Sequence, residues 1–161
     1  MNASKVESNV LVRHIPTAPK VVWDLWTTPE GISGWWGPTH SSVTVQSMDV
    51  SVGGKLFYEL SITGAEHVQQ IEEMGMSTVL KGECVYTEVV PERRLAYRHL
   101  SNIFPGVEPY WNEIAVDLHE SSSGVGMVIT WAPLHDEAFT RQLADVWEEE
   151  LAALMTLAGR R

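Results

Sequence analysis

The order of apolar and polar residues changes period several times along the chain, and each change predicts an element. Residues 9–15, NVLVRHI, form a β-rich run between Asn9 and Pro16 and predict a first strand. In the next stretch Val22, Trp23 and Trp26 stand at helical spacing behind Pro19, which is tolerated in a first helical turn. Thr28-Pro29-Glu30 supplies a capping side chain, a first-turn proline and an acid, so a second short helix runs over ISGWW until Gly37-Pro38. From Ser42 to about Thr130 the pattern is that of strands: SVTVQSMDV, KLFYELS, STVLKGECVYTEVV, RLAYRHL, YWNEIAVDLHE and GMVITWA. They are joined by turns at Gly53-Gly54, Pro91-Glu92-Arg93 and SSSGVG. Residues 64–76 interrupt them with a narrow helical stripe of Val68, Ile71 and Met74, closed by Gly75. The last segment places Phe139, Leu143, Val146, Trp147, Leu151, Leu154, Met155 and Ala158 at spacings of three and four behind the capping residue Asp136. It predicts a long helix with one apolar face.

This order implies an α+β domain spanning residues 1–161. An antiparallel sheet of six to seven strands must bury one face, and the long C-terminal helix is its natural cover. A sheet that curls around the helix leaves room for a cavity, and the 64–76 helix is either a lid over it or an edge decoration of the sheet.

Composition narrows the classes. A chain of 161 residues buries roughly 70% of its unfolded surface and needs no covalent staples. Its one cysteine, Cys84, reads as a small core residue. The first residues, MNASKVESNV, lack a charged start followed by an apolar stretch, and no apolar run reaches membrane-helix length. A cytoplasmic protein is the expectation. The formal net charge of −10 argues against nucleic acid and anionic membrane as partners.

One resemblance covers nearly the whole chain. The run APKVVWDLWTTPEGISGWWGP, the VGGKL hairpin, the EVVPERRLAYRH turn and the final helix resemble homologues of the activator of the heat-shock-protein-90 ATPase, within the START-like helix-grip superfamily. Residues 64–76 and the FPGVEPY stretch at 104–110 look like a bacterial subgroup. The resemblance implies a helix-grip fold around a cavity for a small hydrophobic or aromatic molecule; some relatives are cyclases. The co-chaperone that names the family has an additional domain, so its partnership does not transfer with the fold.

The candidate chemistry is sparse. His14, His40, His67, His99, His119 and His135 show no metal-ligand spacing, and neither a nucleophile elbow nor a phosphate loop is present, so no metal or cofactor is expected. Strand alternation places Leu95, Tyr97 and His99 on one face, as it does Tyr110, Asn112, Ile114, Val116 and Leu118, and Met127, Ile129 and Trp131. Trp36, His40, Tyr97, His99, Tyr110, Asn112, Met127 and Trp131 are therefore pocket candidates, facing Phe139, Leu143 and Trp147 of the long helix. Trp35 and Trp36 diverge by about 100° on a helix; Trp35 is assigned to the core and Trp36 to core or pocket rim. Glu83 and Glu113 read as outer-face carboxylates, and the Glu148–Glu150 run as the wet side of the last helix. The favoured reading is a binding protein for a small hydrophobic or aromatic molecule. The alternatives are an enzyme of cyclase, isomerase or hydrolase type using His99, Tyr97 or Glu83 for acid–base chemistry, and an interaction protein, chaperone-associated or homodimeric.

Overall fold

The protein is described by a computed structural model covering residues 9–102 and 106–161. The leader reading of residues 1–8 and the first two residues of the FPGVEPY stretch lie outside the described residues. The chain runs β1 (Asn9–Ile15), α1 (Pro19–Thr27), α2 (Pro29–Trp35), β2 (Ser41–Met48), β3 (Lys55–Ile62), α3 (Ala65–Glu73), β4 (Val79–Val90), β5 (Arg94–Ser101), β6 (Tyr110–Ser121), β7 (Gly124–Trp131) and α4 (Glu137–Ala158). The architecture is α+β, as the pattern of the sequence implies, and is the helix-grip fold that the family resemblance implies.

Strands β2 to β7 follow one another as an antiparallel meander, and β1 closes the far edge against β7, giving the order β1-β7-β6-β5-β4-β3-β2. The helices α1 and α2 carry the chain from one edge strand to the other. Register shifts between Val45 and Ser47 and between Tyr86 and Glu88 bend the sheet, because an extra residue on one strand increases the local twist. The curled sheet wraps α4.

One residue separates α1 from α2. The Thr28 hydroxyl donates to the Asp24 carbonyl at 2.7 Å, ending the first helix, and accepts from the Gly31 amide at 3.1 Å, beginning the second. Gly31 lets the two helices touch backbone to backbone: a Cβ there would sit 2.7 Å from the Asp24 carbonyl oxygen and from Leu25 Cα. The buried stripe of α1 is Val22, Leu25 and Trp26, while Trp23 is only half-buried. Positions 22, 25 and 26 share one helical face; position 23 stands about 100° away from 22.

Trp26, 1% exposed, is the hub of the core. Its ring meets Trp35 edge-on at 4.5 Å and lies 6.2 Å from Trp147 and 6.4 Å from Tyr97. Trp35 is core, as assigned, and its indole N–H donates to the Leu25 carbonyl at 2.8 Å. Asp136 caps α4 through the Ala138 and Phe139 amides. By contrast, α3 buries none of its residues; Val68 and Ile71 are half-buried and Met74 is exposed. Its apolar stripe is too narrow to hold it against the sheet.

Candidate functional site

Between the concave face of the sheet and α4 lies a cavity of about 320 Å³. Its walls follow from two periodicities. Along β3, Tyr58, Leu60 and Ile62 alternate inward; across the floor come Leu80 and Gly82 of β4, Tyr97 and His99 of β5, and Asn112 and Ile114 of β6. From above, α4 lowers Leu143, Val146, Trp147 and Glu150, which fall at i, i+3, i+4 and i+7. Trp36, Gly37 and Pro38, in the loop that follows α2, complete the wall.

The walls are mostly apolar, with polar groups at chosen points. Tyr58 Oη and His99 Nε2 share a hydrogen bond of 2.6 Å, their rings stacked with centroids 6.0 Å apart. Tyr58 has room because its partner across the ladder is Gly82: a Cβ at that position would lie 2.0 Å from Tyr58 Cζ. Asn112, 6% exposed and the one buried polar residue among those described, lines the cavity. Two indole N–H groups of the lining residues, Trp36 Nε1 and Trp147 Nε1, are buried without a partner among the described residues, a costly arrangement.

Glu150 is the least expected member. The Gly37 amide donates to its Oε2 at 3.1 Å, while its neighbour Glu149 accepts from the Thr39 amide and hydroxyl at 2.9 and 3.1 Å. Two successive carboxylates of α4 thus pin the 37–39 loop. Burial pushes the Glu150 carboxyl up to about 8, with Glu149 adding to the rise and the Gly37 hydrogen bond opposing it. Burial also pushes the His99 imidazole down to about 4. The Tyr58 and Tyr97 hydroxyls are held well above their ordinary range by burial, with Cys84 and then Glu150 contributing. At neutral pH this gives a neutral imidazole, neutral phenols and a carboxyl that is largely protonated.

These shifts predict a pH dependence. Glu150 binds its proton more tightly folded than unfolded, so its contribution is complete below its ordinary range and is lost as pH rises towards 8 and beyond. His99 has the opposite sign: its stabilisation is complete above the ordinary histidine range and is lost as pH falls through about 4. Between pH 6.5 and 8 only Glu150 of the two acts. Stability is expected to fall across that window with a slope of up to about 1.4 kcal/mol per pH unit from this group. Urea titrations of Glu150→Gln should show the fall reduced; an unchanged slope refutes the assignment.

Of the residues picked out by sequence, Trp36, Tyr97, His99, Asn112, Leu143 and Trp147 come together at the cavity. The others do not. His40 stacks on His67 at 4.0 Å, pairing the 37–41 loop with α3, and its backbone has a left-handed φ of 64°. Tyr110, at the start of β6, bonds His135 at 2.8 Å instead. Met127 and Trp131 are buried in the packed half of the sheet, and Phe139, in the first turn of α4, is 36% exposed. Sequence reasoning missed Tyr58 and Glu150. Glu150 was readable from its helical spacing to Leu143 and Trp147, but its position in an acidic run concealed it. Glu113 is exposed as expected, whereas Glu83 is half-buried, 4.0 Å from Lys55. Cys84 is fully buried, and burial raises its thiol far above the ordinary range. Among the described residues no group of three His, Cys, Asp or Glu side chains is arranged to hold a metal ion, and no helix is long and apolar enough to cross a membrane.

Comparison with known proteins places this geometry in context. A family model described as Activator of Hsp90 ATPase homolog 1-like protein matches residues 16–159. No curated protein matches the chain. A crystal structure of a Chromobacterium violaceum protein superposes with a TM-score of 0.78 at 19% identity, over 94% of this chain and 96% of that one. A solution structure from Arthrobacter aurescens gives 0.75 at 19% identity, over 97% and 88%. A further solution structure, of an AHSA1-like protein from Aeromonas hydrophila, gives 0.73 at 16% identity, over 96% and 93%. At these identities the likeness is one of fold.

Proposed function

This chain belongs to the family of Activator of Hsp90 ATPase homolog 1-like proteins, and we propose that it binds a small, largely apolar molecule, aromatic by preference, between its sheet and α4. The observation that carries the reading is the cavity of about 320 Å³, walled by aromatic and aliphatic side chains with the buried Asn112 among them. Apolar walls with a few fixed polar groups are how small-molecule sites are built, and this volume lies at the lower end of their range. Trp36, Trp147, Tyr58 and Tyr97 offer ring faces, and Asn112 with the Tyr97 hydroxyl offers a polar anchor.

Titration with 2-naphthol tests it. Trp36 and Trp147 line the cavity, so binding is expected to change tryptophan emission saturably with one site per chain. Leu60→Trp, which fills the cavity, should weaken binding at least tenfold. A response that never saturates, or that survives Leu60→Trp unchanged, refutes the proposal.

The Tyr58–His99 hydrogen bond beside Glu150 favours a second reading, acid–base chemistry on the bound molecule. A neutral imidazole can accept a proton, and a carboxyl near 8 can donate one at neutral pH. A natural ligand recovered unchanged after long incubation with the protein would count against it.

A further inference from the structure

We infer that the molecule held in this cavity is an organic cation, an amine or quaternary ammonium on an apolar body, with its charged head between Glu150 and the faces of Trp36, Tyr58, Tyr97 and Trp147. The inference rests on the cavity being a binding site and adds the chemistry of its occupant.

The geometry is that of an aromatic corner closed by a carboxylate. The Trp36 ring stands perpendicular to Tyr58, with centroids 5.3 Å apart and an interplanar angle of 86°, and is stacked with Tyr97 at 6.1 Å and 30°. Trp147 and Glu150 descend from the same face of α4, three residues apart. Faces of electron-rich rings attract a cation through their quadrupoles, and they attract it most where water is excluded. One Glu150 oxygen, Oε2, takes the Gly37 amide; Oε1 takes no hydrogen bond from any described residue.

The groups around Glu150 leave the role of counter-ion open. From the sheet it is faced by Tyr58, Tyr97 and His99, and from its own helix by Glu149. The phenols and the imidazole are neutral near pH 7. Lys81, also on the wall, has an exposed side chain, and no described base forms an ion pair with Glu150. A cation supplies the partner that the ionised carboxylate lacks and favours that form, whereas an anion would hold Glu150 protonated and gain no charge partner from it. The net charge of −10 draws cations towards the molecule from a distance.

The test compares benzyltrimethylammonium with neopentylbenzene, its uncharged carbon isostere, by tryptophan emission and calorimetry. The cation is expected to bind at least tenfold more tightly than the isostere at pH 9. Its affinity should rise about tenfold from pH 6 to pH 9 as Glu150 ionises, while the isostere shows no such rise. Glu150→Gln, which retains an acceptor for the Gly37 amide, should erase both the preference and the pH dependence; its fold is checked by circular dichroism. Equal affinities for the two probes, or a preference that survives Glu150→Gln, overturn the cation and leave the cavity reading standing. Binding of neither probe overturns both.

Discussion

Trp26→Ala is expected to lower the stability of the protein by about 3–5 kcal/mol, the range for truncating a fully buried large aromatic residue. Trp26 is 1% exposed and in ring contact with Trp35, Trp147 and Tyr97, so its removal takes an α1 side chain away from α2, α4 and the sheet together. The neighbours cannot collapse into the gap, because Gly31 already brings the α1 and α2 backbones into contact. Domains of this kind are stable by about 5–15 kcal/mol, so the variant falls near the threshold of folding. Trp26→Phe separates volume from polarity. The Trp26 indole N–H is buried without a partner among the described residues, so phenylalanine loses part of the ring but also removes an unpaired donor. Its cost should be less than half that of alanine. Urea midpoints with unchanged m-values check both figures; a loss below about 1 kcal/mol for Trp26→Ala would show that the helices are not keyed through this ring.

The same packing explains which parts of the site could be read from sequence. Elements were legible because periodicity is a property of neighbouring residues. The α2 cap at Thr28, the α4 cap at Asp136 and the inward set Asn112, Ile114, Val116 and Leu118 all follow from local pattern. The division of the concave face was not local. Met127 and Trp131 belong to one buried cluster with Trp26, Leu151 and Leu154, and the Trp131 ring lies 5.6 Å from Trp147, so both end in solid core. The cavity opens over β3 to β6 instead, where the face meets Leu143, Val146, Trp147 and Glu150. Strand alternation says which way a side chain points, not what stands opposite it. Tyr58 illustrates the limit: its inward direction is a matter of period, but its place beside His99 depends on the register that sets it across from Gly82. Glu150 illustrates another. Its spacing put it on the buried face, while its residue type argued for water, and the Gly37 amide is a partner that only the folded chain supplies.

Gly82→Ala is the substitution expected to change the site most without touching a ligand-facing side chain. The added methyl would lie 2.0 Å from Tyr58 Cζ and 2.2 Å from Cε1, far inside van der Waals contact, so the ring must leave its place. Crowding of a packed site by one carbon costs about 1–3 kcal/mol. The ring can move only by breaking its 2.6 Å hydrogen bond to His99 and by swinging away from Trp36 or into the cavity. Affinity for 2-naphthol should therefore drop about tenfold or more. The diagnostic experiment is a double-mutant cycle with Tyr58→Ala. If the cost arises from the ring, Gly82→Ala in the Tyr58→Ala background should be free or mildly stabilising, because alanine restricts the unfolded chain more than glycine does. A cost that persists in that background would place the strain in the β4 backbone, and Tyr58 would no longer count as fixed by its partner strand.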